Sequence, residues 1–86
     1  MKLSDTVKLM ASESFQDRLM AEYWQTKIRY DKLHRYAVQC EAGTTPFASP
    51  SELEMMKKQK AAMGQYLYTL EVRAEGLGID LFECIQ

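Results

Sequence analysis

The residues best suited to chemistry crowd into one run, AEYWQTKIRYDKLHRY, at positions 21–36. Lys27, Arg29, Lys32 and Arg35 are interleaved there with Tyr23, Trp24, Tyr30 and Tyr36. That mixture suits a nucleotide: guanidinium and ammonium groups meet phosphate oxygens, and flat rings stack on bases. Covalent chemistry is poorly supplied. His34 is the single histidine, and no serine or cysteine is placed by sequence to be its nucleophile. Beside Leu33, it is expected to be a partly exposed structural residue. The acidic residues do not recur as the Glu and Glu-x-x-His sets of a di-metal bundle, and no glycine-rich phosphate loop is present. The expectation is a binder without catalytic residues, metal or cofactor.

The elements that must position these residues are two long helices. The first is predicted over about 13–42, with Ser12 as N-cap, Glu13 and Asp17 at the positive end of the dipole and Gly43 as its stop. The second is predicted over about 50–75. Ser49, Pro50 and Glu52 form a capping box with proline at the first helical position, and Ala48 and Leu53 can staple it. Gly76 and Gly78 end it. The loop at 43–49 is short enough to force the helices antiparallel. Upstream, Ser4 is expected to cap a short helix running to Met10; downstream, the apolar tail 76–86 is expected to fold back on the hairpin.

Register makes the hairpin specific. Leu19, Tyr23, Thr26, Tyr30, Leu33, Ala37 and Cys40 recur at coiled-coil spacing in the first helix. Leu53, Met56, Lys60, Met63, Leu67, Leu70 and Ala74 do so in the second. Read in opposite directions the two stripes pair from Cys40 with Leu53 to Leu19 with Ala74, broken only by Thr26 and Lys60. The fold class is therefore all-α, a long antiparallel two-helix hairpin forming one domain over 1–86.

One seam does not use all the apolar residues. Met20, Trp24 and Ile28 form a second row, and Val38, Met55, Ala62, Tyr66 and Val72 add more. Either the N-terminal segment and the tail cover these rows, or further copies do, as in an oligomeric bundle. Oligomerisation is the favoured expectation, with Met20, Trp24, Ile28 and Gly64 as the partner face. Gly64, inside a helix at a cost of about 1 kcal/mol against alanine, suggests a close helix contact.

Seam membership already accounts for Tyr23 and Tyr30, while Arg29 and Lys32 fall on a solvated face. The side chains with the best claim to a ligand are on the flanks: Trp24, Lys27 and Arg35, with Tyr66 and Arg73 across the hairpin. The register puts Arg73 near Met20 and Trp24. Net charge is −1, which disfavours a duplex-binding protein relying on counterion release. No stretch reads as a signal peptide or a membrane span. Cys40 and Cys84 lack metal or redox spacing, so reduced thiols in the cytosol are expected.

The segments AEYWQTKIRYDKLH, EAGT and QKAAMGQYLYTLEVRAEGLGIDL resemble a family of small helical-hairpin proteins of tailed phages and prophages, crAss-like phages among them. The match spans most of the chain from Ala21 to Leu81, with Phe82 to Gln86 as an extension. The resemblance implies a phage accessory protein and carries no functional residue over. Three roles follow. The leading one is an oligomeric sponge that sequesters a cyclic-nucleotide-type immune signal in counter-defence. The alternatives are an anti-CRISPR-like inhibitor docking on a host defence protein through the apolar face of Met20, Trp24 and Ile28, and a structural or assembly helper.

Overall fold

The computed structural model describes residues 2–46 and 49–82. A 3-10 turn at Leu3–Asp5 leads into α1 (Thr6–Met10), followed by α2 (Phe15–Glu41) and α3 (Pro50–Gly76). The described residues contain no strand. The molecule measures 43 × 24 × 21 Å; its long axis is that of a single helix the length of α2, at 1.5 Å per residue.

Local chemistry sets each boundary. α2 starts two residues later than predicted, because Ser14 and not Ser12 is the N-cap. Ser14 Oγ accepts from the Asp17 amide at 3.4 Å. Ser12 holds the approach, its hydroxyl donating to Asp17 at 2.8 Å and accepting from the Ser14 amide at 3.1 Å. Asp17 serves both serines, and only the inner one can reach a free helical N–H. Ser49 caps α3 by accepting from the Glu52 amide at 3.2 Å, with Pro50 opening the helix. The expected staple through Ala48 lies outside the described residues. At the N-terminus the helical segment begins one residue before Ser4, which sits inside the 3-10 turn as part of it.

Both long helices end in a Schellman motif. At the end of α2 the Gly43 amide donates to Cys40 O and the Thr44 amide to Gln39 O, with Gly43 at φ +78°. At the end of α3 the Gly78 amide donates to Glu75 O and the Ile79 amide to Ala74 O, with Gly78 at φ +71°. Gly76 is the last helical residue, and Gly78 alone supplies the left-handed turn that sends the tail back.

No residue of the two predicted stripes is fully exposed. Tyr23 fills the seam at its end away from the loop, at 1 % exposure, its ring at right angles to Trp24. Its hydroxyl donates to Glu71 at 2.7 Å. Burial, followed by that hydrogen bond and the carboxylate's charge, pushes the phenol well above its ordinary value.

The core is lopsided. Leu19, Met20, Tyr23, Trp24, Leu67, Leu70, Ala74, Ile79 and Leu81 form one buried cluster, with Leu9 and Tyr30 against it. Trp24 Nε1 donates to Leu81 O at 2.7 Å, and Phe82 meets both Tyr23 and Trp24 edge-on. On the other side Thr6, fully buried, donates to Leu3 O and accepts from Gln25, which also contacts Met10 Sδ. The tail and the N-terminal segment thus cover this end in cis. The row of Met20, Trp24 and Ile28 that was expected to await a second copy is buried or half-buried within one protomer. Toward the loop there is no such cover among the described residues, and Leu33, Leu53, Met56 and Met63 are half-buried. Cys40 is a buried free thiol there; Cys84 lies outside the described residues.

Two stability experiments follow. Gly78→Ala forces an L side chain into the left-handed region, costing about 1–2 kcal/mol, and loosens the tail. Urea unfolding should show the loss, and the fluorescence of the single tryptophan should shift red as Trp24 meets water. Tyr23→Phe should cost about 1 kcal/mol at neutral pH. Because the folded phenol titrates above the unfolded one, the parent's advantage is complete below about pH 10 and shrinks as the pH rises further. Unfolding curves of parent and variant should therefore differ at pH 7 and draw together as the pH rises above about 10.

Candidate functional site

The half-buried ring of Tyr30 organises the open end of the hairpin. One turn before it on α2, Lys27 Nζ lies 5.6 Å from the ring centroid and 3.1 Å from Asp31. One turn after it, the His34 imidazole stacks parallel to the ring at 6.2 Å with an interplanar angle of 6°. From α3, Lys60 Nζ reaches His34 Nδ1 at 2.9 Å. With the ammonium donating, His34 accepts as the Nε2–H tautomer. Its lone pair is therefore engaged in this arrangement, which suits recognition better than proton abstraction.

Lys60 is a half-buried cation in an apolar seam. Among the described residues the ion pairs are Lys27–Asp31 and Lys57–Glu41. Glu41 feels Lys60, but the hydrogen bond from Lys57 and then its charge are the main reasons its carboxyl is held low. The direct partner of Lys60 is a neutral imidazole, which leaves its charge available to an anion.

Beside this cluster a groove of about 530 Å³ runs along α3, lined by Tyr30, Lys60, Ala61, Gly64, Gln65, Tyr68 and Thr69. A smaller one of about 400 Å³ lies on α2, lined by Asp31, His34, Arg35, Val38 and Gln39. Lys27, His34 and Arg35 share one flank of α2, and His34 of the second groove touches Tyr30 and Lys60 of the first. A third depression of about 430 Å³ sits under the tail, where Glu71, Glu75 and Asp80 make it acidic. Among the described residues no group of three His, Cys, Asp or Glu side chains is placed to hold a metal ion.

The five residues singled out for a ligand do not converge in one protomer. Lys27 and Arg35 are on the flank just described. Trp24 shares that flank but is 8 % exposed, and its N–H is committed to the tail. Tyr66 and Arg73 lie on the opposite side of α3, since two residues separate Tyr66 from Gly64 and rotate it by about 200°. Tyr66 donates to Glu22. Arg73 holds its guanidinium over the Phe15 ring at 5.8 Å. The expected partner face is likewise divided: Met20 and Trp24 are buried, Ile28 is half-buried and Gly64 faces Tyr30.

Reading the sequence for cations near rings missed His34, Lys60 and Tyr68. A signal for two of them was present. Lys60 is the one cation in the second stripe, and the antiparallel register sets it opposite Leu33, next to the single histidine. Tyr68 carried no such mark.

The chain matches no curated protein and no solved structure. A family model described as Sequestin matches residues 13–76, which takes in α2, the loop, all of α3 and every residue of the Tyr30 cluster. The chain belongs to the Sequestin family.

Proposed function

We propose that this chain is a non-enzymatic binder that holds a small nucleotide-type signal out of circulation, acting for a phage against host defence in the bacterial cytosol. The observation that carries the reading is the cluster around Tyr30. Lys27, His34 and Lys60 surround one ring, with Arg35 on the same flank, beside open grooves and without a catalytic partner for the histidine. Cations and flat faces on one side are what an anionic, ring-bearing ligand requires. The family's name points to sequestration, and the resemblance to phage hairpin proteins supplies the setting.

Assembly of several copies belongs to the same reading. A small-molecule site normally buries most of its ligand, whereas these grooves are open on a two-helix surface. Val38, Met55, Tyr68 and Val72 are all exposed apolar or aromatic side chains that a second copy could cover. The alternative of an inhibitor docking through Trp24 loses its anchor, because the chain's own tail already occupies that ring.

Native mass spectrometry of the purified protein, alone and with a panel of cyclic and ADP-ribose-type nucleotides, is the direct test. A fixed number of added nucleotide masses per assembly is expected. Lys27→Ala and Arg35→Ala should each weaken binding by roughly tenfold or more, the worth of a charge-assisted hydrogen bond, without changing the assembly. No added mass from any nucleotide, or unchanged affinity in both variants, would overturn the reading.

A further inference from the structure

Gly64 is the residue the fold does not explain. It lies inside α3 in ordinary helical conformation, where alanine is the better residue. Close packing is the usual reason for such a glycine, but a Cβ built here would meet the Tyr30 ring at 3.5 Å, an ordinary van der Waals contact. Alanine fits. What the missing methyl leaves is a groove floor at the level of the α3 backbone.

The residues around that floor form a straight stripe. Lys60, Gly64 and Tyr68 follow one another at one-turn intervals, a cation, a gap and a ring over about 12 Å. Tyr68 is 67 % exposed, far from the usual state of a ring that serves packing. Tyr30 closes the other side of the gap. Gln65, on the rim, has a carboxamide that makes no hydrogen bond to the described residues, so its donors and acceptor are free for the edge of a base.

We propose that the Gly64 groove is a nucleotide slot, in which a flat base lies over the α3 backbone between Tyr30 and Tyr68 and its phosphate is held by Lys60 beside His34. This rests on the sequestering reading and gives it an address. It also places the base on α3, where the sequence offered no candidate ligand residue other than Tyr66 and Arg73 on the far side.

The test is a titration of the ¹⁵N-labelled full chain with the four ribonucleoside 5′-monophosphates, and separately with ribose 5-phosphate. The monophosphate with the preferred base should shift the amides of Gly64, Gln65 and Tyr68, while ribose 5-phosphate should perturb only the Lys60 and His34 region. Gly64→Ala should melt higher than the parent yet bind that monophosphate at least tenfold more weakly. Tyr68→Ala should lose binding to a similar degree with an unchanged melting temperature. A Gly64→Ala variant that binds like the parent overturns the slot. Shifts confined to residues around Arg35 or Arg73 overturn the slot but leave sequestration standing. No shift from any monophosphate, together with no mass added by the nucleotide panel, overturns both. If Gly64→Leu changes the assembly size while monophosphate affinity is unaltered, the groove is a contact between copies and the slot is wrong.

Discussion

The register in which α2 meets α3 governs everything else in this molecule. It is set at one end by the Schellman turn at Gly43 and the serine cap around the loop, and toward the other by Tyr23, whose ring fills the seam while its hydroxyl holds Glu71. A hairpin offers a single interface, so a slip by one turn would cost that hydrogen bond and misplace every apolar pair together. Lys60 depends on the same alignment. Only in this register does its ammonium come to rest against the one imidazole in the chain, and only then does Tyr30 face Gly64.

Two helices cannot enclose a core, and the chain answers this differently at its two ends. Away from the loop, Gly78 turns the tail back so that Ile79 and Leu81 complete a cluster with Trp24, while Thr6 and Gln25 dock the first turn on the other side. The buried polar groups there are satisfied, as a low-dielectric site demands. Near the loop the described residues supply no third layer, and Leu33, Leu53, Met56 and Met63 stay half-buried while Ala37 and Cys40 are buried. The Arg35 groove lies toward this thinner end, while the Lys60 groove starts there and runs up to Tyr68 beside the buried cluster, with Tyr30 as the wall the two regions share.

Much of the fold was legible in the sequence, because its signals are local or periodic. The capping box at Ser49, the stop at Gly43 and the two stripes each name a boundary or a face directly. Where the reading slipped, two local signals competed, as with Ser12 and Ser14, or a choice depended on packing energy. The row of Met20, Trp24 and Ile28 looks the same in sequence whether a tail or another copy covers it, and an indole N–H meeting a carbonyl far along the chain has no sequence signature. The site was half legible. Lys27 and Arg35 declare themselves by type and flank, but pairing them with Tyr66 and Arg73 ignored the rotation that puts those two on the far side of α3. His34 and Lys60 gain meaning only together, and neither is conspicuous alone.

The thin end raises a question of linkage. A small ligand held on an open two-helix surface leaves much of itself in water, and the half-buried seam beside it is short of apolar cover. A second copy laid over that region would remedy both deficits at once, walling the groove and burying side chains such as Met56 and Met63. Ligand and partner would then each favour the same assembled state, so that binding one raises the affinity for the other by the same factor. Such reciprocity suits a sequestering protein. Affinity would not have to be built into a single hairpin whose stability margin is slender, and the assembled form would hold its ligand most firmly where protein is abundant.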